Sequence, residues 1–108
     1  MTDVTHQKWW GWGVEGIAFH HEDKPAFAPF VLAKIGIDLS QPGTPAPDFG
    51  DVDVPATRLG EELQTALRAA VGDHHVVTDD MDRVVHTYGK GMRDLVWVRA
   101  GHLPRVPD

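Results

Sequence analysis

The chain has 108 residues, 42% of them hydrophobic, and a formal net charge of −6, which is one domain's worth of sequence able to bury a modest core. That acidic balance argues against a nucleic-acid or anionic-membrane surface, since both need an excess of Lys and Arg on one face. With no cysteine there is no disulfide frame or thiolate site. No run approaches the ~20 apolar residues of a membrane span, and the start MTDVTHQKWW has no apolar signal region, so a cytoplasmic location is expected.

In chain order, residues 1–8 are polar and read as frayed. Lys8 to Gly13, KWWGWG, then carries three of the four tryptophans. Each buries roughly 150–250 Å², so the segment must dock on the rest of the protein, a partner or a ligand. Ile17-Ala18-Phe19 reads as a short strand, followed by a charged turn at His20 to Lys24. Pro29 suits a first helical turn, and Phe30, Val31, Lys34 and Ile35 make a short helix stopped by Gly36. Residues 38–55 hold Pro42, Pro45, Pro47 and Pro55, four aspartates and no Lys or Arg, and read as an extended connector unable to bury a face. Leu59, Leu63, Leu67, Ala70 and Val71 then form one apolar stripe of a helix from about Thr57 to Val71, with Gly72 as its left-handed stop. Thr78 caps a third helix, with Asp79 and Asp80 in its first turn, Met81, Val84, Val85 and Tyr88 facing inward, and Gly89 at its end. Leu95 to Arg99 reads as a strand. The fold class is therefore α+β, mainly helical with short strands and long loops. It divides into a Trp-rich segment with a short helix (1–37), a linker (38–55) and a two-helix segment (56–108).

No catalytic constellation emerges from the residues. Gly11-Trp12-Gly13-Val14-Glu15-Gly16 matches the dinucleotide fingerprint G-x-G-x-x-G, but THQKWW is not a buried strand and IAFHHEDKP is not a helix, so the context fails. Gly89-Lys90-Gly91 lacks the Ser or Thr of a phosphate loop and reads as a helix stop. His20-His21 and His74-His75 are adjacent, and in extended chain their rings point to opposite faces, against a metal site. Arg83 and His86 share one side of the third helix at i, i+3. That pair is a candidate anion or cofactor contact, weighed against a solvent-facing or interface pair. Glu61-Glu62 and Asp79-Asp80 read as a solvated face and a helix start. No catalytic, cofactor-binding or metal residue is assigned.

Taken together, KWWGWG, Ile35-Gly36-Ile37, Leu59 to Gly72, Thr78 to Lys90, Asp94-Leu95, Arg99-Ala100-Gly101 and Arg105-Val106-Pro107-Asp108 resemble the N-terminal region of the alkyldihydroxyacetonephosphate synthase family. These are FAD-linked oxidases of the vanillyl-alcohol-oxidase type. The W-x-G-W-G element and the terminal R-x-P-D are the more specific parts. The resemblance implies that R-x-P-D leads into an FAD-binding domain, and that the flavin site and the substrate domain lie beyond residue 108. It implies a family reaction in which bound FAD exchanges the acyl group of an acylated dihydroxyacetone phosphate for a fatty alcohol, giving an ether-lipid precursor, or oxidation of a hydroxylated substrate. On this reading the chain is a non-catalytic N-terminal portion of a larger FAD-linked oxidoreductase or transferase. Its partners are the remaining FAD-binding and substrate domains, on the same or a separate chain, with Trp9, Trp10 and Trp12 packing on them. FAD belongs to the full-length family and is not expected on this chain alone. The alternative is a free-standing binding or regulatory module that uses the tryptophans as a platform.

Overall fold

The computed structural model describes residues 6–103 and 105–108. Its helices are α1 (Phe27–Ile35), α2 (Glu61–Val71), α3 (Asp80–Val85) and α4 (Met92–Arg99), with 3-10 turns at Phe49–Asp51 and Asp73–His75. The fold is mainly helical, and among the described residues the strand component reduces to one isolated antiparallel bridge, Gln7 to Val14. Two compact units form, one from Gly16–Ala46 and one from Met1–Glu15 with Pro47–Asp108.

In the Gly16–Ala46 unit, Pro29 sits in the first turn of α1, and Gly36 closes the helix with φ 70°, donating its N–H to the Leu32 carbonyl at 3.0 Å. That left-handed geometry is the one glycine adopts without a Cβ penalty. The strand expected at Ile17-Ala18-Phe19 does not form. Phe19 packs its ring 5.5 Å from Phe27, and His21 lies 5.6 Å from the same ring, so a local aromatic cluster takes the place of a ladder.

The other unit holds the core. Trp9, Val84 and Val98 are buried together, with Phe49, Val52, Val54, Met81, Val85, Tyr88 and Leu103 packed around them. The Pro/Asp-rich stretch thus contributes Phe49, Val52 and Val54, although its composition predicts no buried face. Alternation explains this: in extended chain, Val52 and Val54 point one way while Asp51 and Asp53 point to solvent.

α2 begins at Glu61, four residues later than expected, because Thr57 Oγ1 accepts from the Leu59 N–H at 3.1 Å and holds a turn there. Gly72 ends it at φ 94°, ψ 147°. This is a glycine-only region rather than the expected left-handed helical conformation. The cap of α3 is Asp79, not Thr78: its carboxylate accepts from the Asp82 N–H at 3.1 Å. α3 stops at Val85, short of Gly89, where His86 Nδ1 and Thr87 Oγ1 take up the carbonyls of Asp82 and Arg83.

The largest departure is Leu95 to Arg99, which is helix, not strand. Asp94 folds back to accept from the Gly91 N–H at 3.0 Å, closing the helix start. Leu95 and Val98 then fall at i, i+3 on the buried side. Burial at helical spacing outweighs the β preference of Val96, Trp97 and Val98.

Candidate functional site

The tryptophan segment is a tight hairpin. The Lys8 N–H donates to the Gly13 carbonyl at 3.0 Å and the Glu15 N–H to the His6 carbonyl at 2.9 Å. Residues 6–8 are therefore held rather than frayed, and the expected frayed residues 1–5 lie outside the described residues. Gly13 takes φ 88° at the bend. The three indoles then part company. Trp9 is buried, edge-on to Phe49 at 5.3 Å and 75°, so it packs within its own chain rather than on a further domain. Trp10 is half-buried and carries two cations, Lys8 Nζ at 5.5 Å and the Arg99 guanidinium at 5.1 Å from its ring. Arg99 also donates from Nε to the Trp10 carbonyl at 3.2 Å. Trp12 remains 58% exposed, with its Nε1 donating to the Lys90 carbonyl at 2.7 Å. Trp10, Trp12, Met92, Val96 and Arg99 line a groove of about 360 Å³.

The hairpin does not fit the pyrophosphate of FAD. Gly11, Gly13 and Gly16 lie in and after a reversing turn, and the next helix starts only at Phe27. Among the described residues no strand leads into the loop and no helix follows it directly, which is not the strand–loop–helix context of a dinucleotide-binding turn.

The second candidate, Arg83 with His86, is separated by burial. Arg83 is 4% exposed, donating from Nε to the Pro107 carbonyl at 2.8 Å and from Nη1 to Asp80 Oδ1 at 3.0 Å. His86 is exposed and turns to Asp82, with Nδ1 at 2.8 Å from its carbonyl and 3.1 Å from Oδ1. Both neighbours are acceptors, so Nδ1 is the nitrogen that donates to them. The shared helix side is correct, but the two side chains do different work: Arg83 fixes the chain end, and His86 borders a cavity of about 250 Å³ with His75, Asp82, Pro107 and Asp108.

The R-x-P-D segment is clasped a second time. Arg58 donates to Asp108 from Nη2 at 3.0 Å, Nε at 3.3 Å and the main chain at 2.9 Å. Those hydrogen bonds hold the Asp108 carboxyl below the usual carboxylate range, and raise Arg58 in turn. Neither Arg58 nor Asp108 stands out in the sequence as a pair, because 50 positions separate them.

His74 and His75, expected on opposite faces of extended chain, are brought to 4.1 Å between rings by the 3-10 turn. Among the described residues, no group of three or more His, Cys, Asp or Glu is placed to hold a metal ion.

The chain is similar to the alkyldihydroxyacetonephosphate synthase of Dictyostelium discoideum, at 28% identity over 124 aligned residues. The alignment covers 94% of this chain and 20% of that protein, so the chain spans one fifth of the curated relative it matches. No family model matches the chain, and no solved structure does. The relationship these findings support is a distant one.

Proposed function

We propose that the chain is a non-catalytic docking module of an alkyldihydroxyacetonephosphate synthase-like flavoenzyme. It holds the flavin and substrate parts through α2 and presents R-x-P-D in a fixed position. The observation that carries this reading is the apolar stripe of α2. Leu63, Leu67 and Val71 stand 53%, 38% and 52% exposed, and among the described elements α2 meets only the 3-10 turn at Asp73–His75. The sequence predicts an inward-facing stripe, and among the described residues Leu63, Leu67 and Val71 stay exposed. Rows of exposed Leu and Val at helical spacing mark interaction surfaces. The similarity to the synthase, together with the flavin that the family resemblance implies, supplies the chemistry of the partner. The clasp on Pro107 and Asp108 supports a role in aligning whatever follows or binds there.

The test is a tagged chain recovered from its native cells and compared with its Leu63→Asp/Leu67→Asp variant. The wild type should bring with it a protein carrying flavin absorbance, and the variant should lose it. Circular dichroism checks that both chains are equally helical. A flavin-free wild-type preparation, or equal flavin in both, would overturn the reading.

A further inference from the structure

The net charge of −6 disfavours an anionic surface only if the bases are spread evenly, and the fold gathers four of the ten Lys and Arg on one side of α4 and the hairpin. α4 turns Leu95 and Val98 inward, which leaves Met92 at 66%, Val96 at 58% and Trp97 at 48% exposed on its outer side. Trp12 stands beside it at the groove that it shares with Met92 and Val96. Around these four apolar side chains lie four bases. Arg93 sits over Trp97 at 5.9 Å, Arg99 and Lys8 flank Trp10, and Lys90 reaches the Lys8 carbonyl at 2.9 Å. Among residues 8–15 and 90–99 the acids are Asp94, folded back onto the Gly91 N–H, and Glu15, whose main chain pairs with His6 at the open end of the hairpin.

The geometry points to α4 and Trp12 as a docking surface for an anionic lipid bilayer. An interfacial element needs an exposed apolar face rich in Trp and aliphatic side chains, bordered by Lys and Arg that reach headgroup phosphates. α4 and the hairpin bend meet each requirement. At eight residues α4 is about 12 Å long, enough to lie in the headgroup plane. The Trp12 indole N–H is already bonded to the Lys90 carbonyl, so sinking that ring among acyl chains leaves no orphaned donor, the usual cost of burying Trp. Arg93 and Arg99 present their cations at the edge of the apolar patch, where long basic side chains settle when the stem is buried and the charged head stays wet. This surface is separate from the α2 stripe, so it stands or falls independently of the function proposed above.

The test uses the full 108-residue chain with unilamellar vesicles of phosphatidylcholine alone or mixed with phosphatidylserine, read by co-sedimentation and tryptophan emission. Binding to the mixed vesicles is expected, with an emission shift to the blue, progressive loss as salt is raised, and little binding to phosphatidylcholine alone. Arg93→Gln and Val96→Asp, both at exposed positions, should each weaken partition about fivefold or more, while Leu63→Asp on α2 should leave it unchanged. Circular dichroism confirms that the variants fold. No binding to the mixed vesicles at low salt would overturn the inference, as would equal binding by Val96→Asp. So would a dimer that Val96→Asp dissociates in sedimentation equilibrium without any vesicle binding, which would assign this face to a second copy of the chain.

Discussion

Trp12 and Lys90, 78 positions apart, are joined by a hydrogen bond, and Lys90 makes a second one to the hairpin that carries Trp12. The indole N–H of Trp12 donates to the Lys90 carbonyl at 2.7 Å, and the Lys90 ammonium donates to the carbonyl of Lys8 at the hairpin base. Lys90 does this from φ 57°, the left-handed region. Among the described residues it is the one non-glycine there. Replacing it with alanine removes the ammonium bond and keeps the strained backbone, whereas glycine removes the bond and relieves the strain. Lys90→Gly is therefore expected to be more stable than Lys90→Ala by about 1 kcal/mol, read as the difference in urea midpoints at equal slope. Equal midpoints would show that the turn does not store strain at this residue.

The tryptophans rank by burial. Trp9→Ala removes a ring that the core encloses and should cost about 3–5 kcal/mol. Trp12→Ala loses one hydrogen bond and a half-exposed ring and should cost about 1 kcal/mol. Denaturant unfolding of the two variants side by side checks the order, and a Trp12 variant as damaged as the Trp9 variant would contradict the packing described.

Tyr88 has a buried hydroxyl with no hydrogen-bond partner among the described residues. Burial, with a smaller contribution from Asp94, pushes its ionisation above the ordinary value of 10.0. Tyr88→Phe removes an unsatisfied polar atom and should be neutral or stabilising by about 1 kcal/mol. The sign with pH follows. A folded value raised above the unfolded one leaves stability fully present below about pH 10 and lost as pH rises through the folded value. The wild type should weaken at alkaline pH more than Tyr88→Phe, and parallel thermal melts across that range test it.

Asp108 works in the opposite direction. Its carboxyl is held low by Arg58, so the clasp on the chain end is present above the unfolded value of about 3.9 and lost as pH falls through the lower folded value. Carboxyl chemical shifts of Asp108 should titrate below those of a free aspartate, and Arg58→Gln, which removes the side-chain donors and keeps the main-chain one, should move them toward the ordinary range. An unchanged titration in Arg58→Gln would show that the contact does not persist in solution.

Local signals account for what was legible in the sequence. Gly36 and Gly72 mark the ends of α1 and α2 because glycine adopts backbone angles there that other residues resist, and the i, i+4 spacing of Leu63, Leu67 and Val71 gives α2 its stripe. The same spacing could not say that the stripe stays uncovered, since burial depends on what the remaining chain supplies. α4 was hidden by the β-branched and aromatic run Val96-Trp97-Val98. The signals that reveal it are Asp94 three residues after Gly91, and Met92 with Val96 at i, i+4. The hairpin's partners were illegible for another reason: Phe49, Lys90 and Arg99 are 40 to 89 positions away from Trp9, Trp12 and Trp10, beyond the reach of any local pattern. Arg83 and His86 lie on one helix side as their spacing requires, but spacing carries no depth, and Arg83 is buried where His86 is not.

The docking claim is tested most directly by the flavin content of what the chain holds in its native cells. Purified through the chain under native conditions, the wild-type assembly should show flavin absorbance in stoichiometric amount. The isolated 108-residue chain should show none, and Leu63→Asp/Leu67→Asp should release the flavin protein without unfolding. A folded, flavin-free wild-type chain purified from its own cells with no flavoprotein attached would contradict the claim.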